Sequence, residues 1–227
     1  FINDHEKEQS VLENPAIVLV DRKVSMNEHI IGLMDSIAKS GNLSVLFIAD
    51  DVESLALASL IINQQQGRFN IACVRNPYTG SRAKDFLFDI ATLTGGTVIS
   101  EEAGMKLNTA TFELCGQAEK VIANKDTCTI VGGKASEALQ ERIKSIESQI
   151  AETTSEYTKS MLEERLACLT GGIGVIRVGT YTDTDFNAKK LKFDNAINAT
   201  QAALQEGIVA GGGTTLARIA SNIDEVI

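Results

Sequence analysis

The 227 residues carry 30 acidic and 21 basic side chains, a formal net charge of −9, with 44% hydrophobic and 22% charged residues. This is an ordinary globular composition, long enough for one large domain or two small ones. An acidic surface repels phosphate backbones and anionic lipid, so neither nucleic acid nor a membrane is an expected partner, and no apolar run reaches the roughly 20 residues of a membrane-crossing helix.

In chain order, AIVLV (Ala16–Val20) reads as a buried strand. Ser25-x-x-Glu28 fits a capping box, opening a helix that runs to about Ser40 and stops at Gly41. SVLFIAD (Ser44–Asp50) is a second strand, followed by a helix over about 52–66. FNIACV (Phe69–Val74) is a third strand. KDFLFDIATLTGG is a helix closed by Gly95 and Gly96, and TVIS a fourth strand. KVIANKDTCTIVGG predicts a hairpin turning at Asn124–Asp126. This alternation argues for an α/β fold, a mixed or parallel sheet covered by helices. From Ser136 to Leu169 the period becomes helical: Leu139, Ile143, Ile146 and Ile150, then Met161, Leu162, Leu166 and Leu169. Thr153–Ser155 separates the two runs and predicts an antiparallel helical hairpin. GGIGVIRVG (Gly171–Gly179) reads as a glycine-punctuated strand and hinge, and the composition shift near Gly171 is the expected domain boundary. A polar stretch and a further helix follow.

No secretory leader is legible. The chain begins at Phe1 rather than Met, and removal of an upstream segment is an expectation. Cys73, Cys115, Cys128 and Cys168 contain no C-x-x-C pair and are expected to be free, buried thiols. His5 and His29 stand alone, so no metal site is expected.

Two helices are more apolar than one core contact requires. In the first, Ile30, Leu33 and Ile37 form one stripe, and Ile31, Met34 and Ala38 a second, rotated by about 100°. In VESLALASLIIN, Leu55, Leu57, Leu60, Ile61 and Ile62 cover most of the circumference. Such helices are either fully buried or expose a groove suited to an amphipathic segment, and the pattern alone leaves both open.

Enzyme signatures are sparse. GGKAS (Gly132–Ser136) lacks the first glycine and the Ser/Thr of a phosphate-binding P-loop, since Cys128 and Ala135 stand there. It is expected to be a turn. Gly211–Gly213 is open between a nucleotide-contacting loop and a helix-to-helix turn.

DIATLTGGTVISEEAGMKL (Asp89–Leu107) resembles a characteristic segment of the group I chaperonins, the GroEL type. IADDVESLALASLIIN, NKDTCTIVGG, LEERLACLTGGIGVIRVG and QEGIVAGGG are similar to neighbouring family segments in the same order. The resemblance covers essentially the whole chain, with one single-residue insertion near Asn42–Ser44. It implies a chaperonin apical domain over 1–173, with mixed sheets flanked by helices and a C-terminal helical hairpin. Residues 174–206 would be a strand–helix part of the intermediate hinge domain, and 207–227 the start of the equatorial ATPase domain. The chain would then be a fragment of a subunit that forms a homo-oligomeric double ring of seven-membered rings.

By the same resemblance, the protein is a stress-response chaperone for folding and refolding. Phe1, Ile31, Met34, Leu57, Ile61 and Ile62 match the residues that bind unfolded polypeptides and the mobile loop of a GroES-type co-chaperonin. Leu55 stands where many relatives carry an acid, which implies a more apolar groove. Gly171, Gly172 and Gly207 match hinges. Gly211, Gly212 and Gly213 match nucleotide-contacting glycines of a subunit that uses ATP with Mg²⁺ and K⁺; no cofactor is expected in the fragment. The bacterial cytoplasm is the expected location, with mitochondrial matrix and plastid stroma as alternatives.

One position departs from the family. The aspartate that activates the attacking water falls on Asn195, and the neighbouring Asp194 should face elsewhere on the helix. An amide accepts a hydrogen bond from water but cannot take its proton, and general-base help is worth roughly 10²–10⁴-fold. Two alternatives follow from the resemblance: a working ATP-driven chaperonin, and a divergent paralogue that binds clients but hydrolyses ATP poorly.

Overall fold

The computed structural model describes residues 1–133, 136–171, 176, 178–180 and 182–222. The chain divides into two compact units, Phe1–Ile173 and Gly174–Ile227.

The first unit is built on a mixed sheet. Strands β2 (Ala16–Val24), β3 (Ser44–Val52) and β4 (Asn70–Arg75) run parallel. β5 (Val98–Ile99) extends β2 in parallel at one end, and β6 (Gly116–Gln117) pairs with β2 antiparallel at the other. Successive strand side chains point to opposite faces. Ala16, Val18 and Val20 of β2, with Val45, Phe47 and Ala49 of β3, enter one buried cluster beneath helices α1 (Asn27–Lys39) and α2 (Ser54–Gln65). Ile17, Leu19, Leu46 and Ile48 enter a second cluster on the opposite face, against α3 (Ser81–Thr94) and a small antiparallel sheet. That sheet is β1 (Ser10–Glu13), β7 (Lys120–Ala123) and β8 (Cys128–Val131), in the order β1-β7-β8. Burial on both faces explains the near-continuous apolar runs of the parallel strands.

The helical hairpin forms as α4 (Glu137–Glu152) and α5 (Glu156–Thr170). Ser136 and Ser155 cap them, accepting from Leu139 N and Thr158 N. Leu139, Ile146, Leu162 and Leu169 make their own buried cluster with Leu93 of α3. An ionic clamp reinforces this docking. The buried Asp89 of α3 accepts from Arg142 Nε at 2.8 Å and from Arg165 Nε at 2.7 Å. Gly95 closes α3 in the left-handed region (φ 71°), where glycine carries no Cβ penalty. In the second unit, α6 (Asp183–Glu206) and α7 (Thr214–Asn222) are joined through 207–213.

Several sequence expectations change. Ser25 does not cap α1, which starts at Asn27 with no side-chain cap. The backbone there is instead drawn to the start of α2: Val24 O accepts from Glu53 N (2.9 Å) and Ser25 O from Ala56 N (3.1 Å). The thiols are free, but only Cys115 is buried; Cys73 and Cys128 are half-buried and Cys168 is exposed on α5. Most of the strand expected over 171–179 lies outside the described residues, and 176 and 178–180 form no strand. Lys134 and Ala135 of the expected turn also lie outside them. The strand β1 was not legible, because four residues in a polar segment carry too short a period.

Candidate functional site

Helix α1 has two faces committed to the fold. Ile30, Leu33 and Ile37 are buried on the sheet. Gly32 and Ser36 face the segment 107–112: a Cβ on Gly32 would sit 2.6 Å from the Asn108 carbonyl oxygen, and Phe112 N donates to Ser36 Oγ at 2.9 Å. Gly32 is thus required for space. The third stripe, Asn27–Ile31–Met34 at i, i+4, i+7, turns toward α2.

Helix α2 buries Ala56 and Leu60 completely. Its stripe Leu55–Ser59–Ile62 meets α1, because Ser59 Oγ donates a 2.7 Å hydrogen bond to Asn27 Oδ1. Beside this bond the apolar side chains remain in solvent: Ile31 is 55% exposed, Leu55 63% and Ile62 51%. Met26, just before α1, is also exposed. It was missed because its position was read as the interior of a capping box.

The six side chains expected to bind polypeptide do not share one cleft. Ile31 and Ile62 lie exposed on the stripes of α1 and α2 that the Asn27–Ser59 bond brings together. Met34 is 7% exposed and belongs to the core. Leu57 and Ile61 lie about 160° around α2 from Ser59, on the flank turned away from α1. On that side α2 packs on β4, and the N-terminal segment lies against β4 through Asn3 Nδ2 donating to Asn70 Oδ1 at 3.1 Å. Phe1 is half-buried against the cluster that includes Ile71 of β4. Burial pushes the Cys73 thiol on β4 up to about 12, and the N-terminal ammonium partly opposes this. Helix α2 thus carries exposed or half-buried apolar side chains both on the flank toward α1 and on the flank turned away from it.

In the second unit, Gly211–Gly213 forms the turn between α6 and α7, with Gly212 and Gly213 at φ 64° and 78°. A Cβ on any of the three would meet nothing within 4 Å. Gly207 ends α6 at φ 83°. Gly171 ends α5 at an ordinary φ of −75°, but a Cβ there would sit 2.5 Å from the Ala167 carbonyl oxygen, and Gly172 lies outside the described residues. Asn195 is exposed on α6. Asp194 borders a cavity of about 350 Å³ with Phe186, Lys190 and Ile197, of which Asn195 is not a lining residue. The two neighbours therefore point in different directions, as consecutive helical residues must. Among the described residues no three His, Cys, Asp or Glu side chains gather as a metal site.

No known protein-family model matches the chain.

Proposed function

We propose that the first unit is the polypeptide-capturing apical domain of a chaperonin-type subunit. Non-native chains expose apolar side chains, and so do loops that cap a folding chamber. A surface that binds both needs apolar area without a demanding polar code. The observation that carries the reading is the exposure of Ile31, Leu55 and Ile62 along two stripes held together by the Asn27–Ser59 bond. A fixed spacing with exposed apolar rims accepts an amphipathic segment in many registers. The test is fluorescence anisotropy of a labelled, chemically unfolded polypeptide and of an apolar loop peptide. Saturable, mutually competitive binding is expected. Absence of binding by both would overturn the reading.

A second reading concerns hydrolysis, and Asn195 supports it. In the full-length subunit, this position would hold water without accepting its proton. That subunit is proposed to bind ATP, with Mg²⁺ and K⁺, through a site that includes Gly211–Gly213, and to turn it over slowly. Asn195→Asp in the full-length protein is expected to raise steady-state turnover by roughly 10²-fold or more. Equal, high turnover of both forms would remove this reading.

A further inference from the structure

We propose that the cavity between α3 and the helical hairpin is a binding site for a small hydrophobic organic cation. This site is separate from the α1–α2 surface and does not depend on the chaperone reading.

The cavity holds about 400 Å³, within the range of small-molecule sites. Its floor is apolar: Ile90 and Leu93 of α3, Met161 and Leu169 of α5. Three rings wall it, Tyr78, Phe86 and Tyr157. Tyr78 and Phe86 meet edge to face with centroids 5.3 Å apart, which fixes their orientation.

The charges around this space select the ligand. Asp85 and Asp89 are occupied by Arg142 and Arg165. Arg82 is occupied by Tyr157: its guanidinium carbon lies 5.2 Å from the ring centroid, and Nη2 donates to the hydroxyl at 2.6 Å. Glu164 lines the cavity without an ion pair or hydrogen bond among the described residues. Its charge reaches the cavity: after burial, it is the next cause of the upward shifts at Tyr78 and Cys168. A carboxylate beside aromatic faces favours a cation and repels an anion. Tyr157 and Glu164 are seven residues apart on α5, about 10 Å along its axis. That length takes a fused two-ring body with a single ammonium at the Glu164 end, while Arg82 disfavours a second positive charge at the other.

Cys168 lines the cavity and is the exposed thiol among the four, so its alkylation reports occupancy. The 227-residue chain is treated with N-ethylmaleimide and modification is read site by site, with 1-naphthylmethylammonium, neutral 1-naphthylmethanol or anionic 1-naphthylacetate added. Each variant is compared with its own unliganded rate, because Glu164 also acts on the thiol. The ammonium is expected to protect Cys168 saturably, the alcohol more weakly and the acetate least. Glu164→Gln is expected to weaken the ammonium about fivefold and leave the alcohol unchanged. Ile62→Ser is expected to change nothing. The proposal is overturned by absence of saturable protection, by equal protection from all three compounds, by insensitivity to Glu164→Gln, or by loss of protection in Ile62→Ser.

Discussion

The hydroxyl of Ser59 donates a 2.7 Å hydrogen bond to the side-chain oxygen of Asn27, and this bond sets which stripes of α1 and α2 face each other. It leaves Ile62 half in solvent one turn from Ser59, while Leu60, two residues earlier, is fully buried. Ile62→Ser is therefore expected to cost no more than about 1 kcal/mol of stability while weakening capture of an unfolded polypeptide about fivefold. Leu60→Ser is expected to cost about 3 kcal/mol or more, since it leaves a cavity and a buried hydroxyl. Urea melts and anisotropy titrations of the two variants check the separation. Ile61→Ser measures the share of the other flank of α2; full binding by both Ile61→Ser and Ile62→Ser would remove α2 from the binding surface.

Ser54 opens α2 in the left-handed region, at φ 56°. The backbone is held there by the bonds from Glu53 N to Val24 O and from Ala56 N to Ser25 O on either side. A side chain in this region is strained and glycine is not. Ser54→Gly is expected to raise stability by about 0.5–1 kcal/mol, after the extra flexibility of the unfolded glycine is subtracted. The urea midpoint should rise at unchanged slope.

The buried carboxylate of Asp89 satisfies two arginines on two different helices. Asp89→Ala leaves both without their shortest partner, and Asp85 reaches them only at 3.3 and 3.5 Å. The expected loss is about 2–3 kcal/mol, below that of a fully buried pair because the arginines keep some solvent. Hydrogen exchange should show the hairpin losing protection before the central sheet. The exposed Lys120–Glu13 pair is the control, and Glu13→Gln should change stability by less than about 0.5 kcal/mol.

Burial pushes the Cys115 thiol from an ordinary 9.0 up to about 12. The unfolded chain then releases this proton first as pH rises. The associated stability is full below pH 9 and is lost progressively as pH climbs toward 12. The slope from one such group is at most about 1.4 kcal/mol per pH unit. Urea melts at pH 8, 9 and 10 should show this decline, and Cys115→Ala should make it shallower without removing it, because burial also raises Cys73 to about 12 and Cys128 to about 11. Parallel decline in the two proteins would assign the alkaline sensitivity to other groups.

Much of the architecture was legible because its physical signals are local. The near-continuous apolar runs of Ala16–Val20 and Ser44–Asp50, the helical period on both sides of Thr153 and the turn at Asn124–Asp126 each act within a few residues. The capping expectation at Ser25 failed because a long-range backbone pairing to residues 53–56 competed with it. The short β1 became a strand only because β7 offered it a partner. Met34 and Ile31 belonged to one stripe in the sequence, yet one is buried and the other exposed. Helical phase places both side chains on one face, but it cannot say where the neighbouring helix ends.

The sequence by itself determined an α/β chain with a two-faced buried sheet, a helical hairpin and two unusually apolar helices, because periodicity reports which side chains must leave water. Only the tertiary structure decided that Ile31, Leu55 and Ile62 stay in solvent while Ile30 and Leu60 do not. It also decided that Glu164 faces an aromatic cavity with no ion pair or hydrogen bond of its own among the described residues. Exposure and charge balance depend on what packs beside a residue, and that neighbour comes from a distant part of the chain.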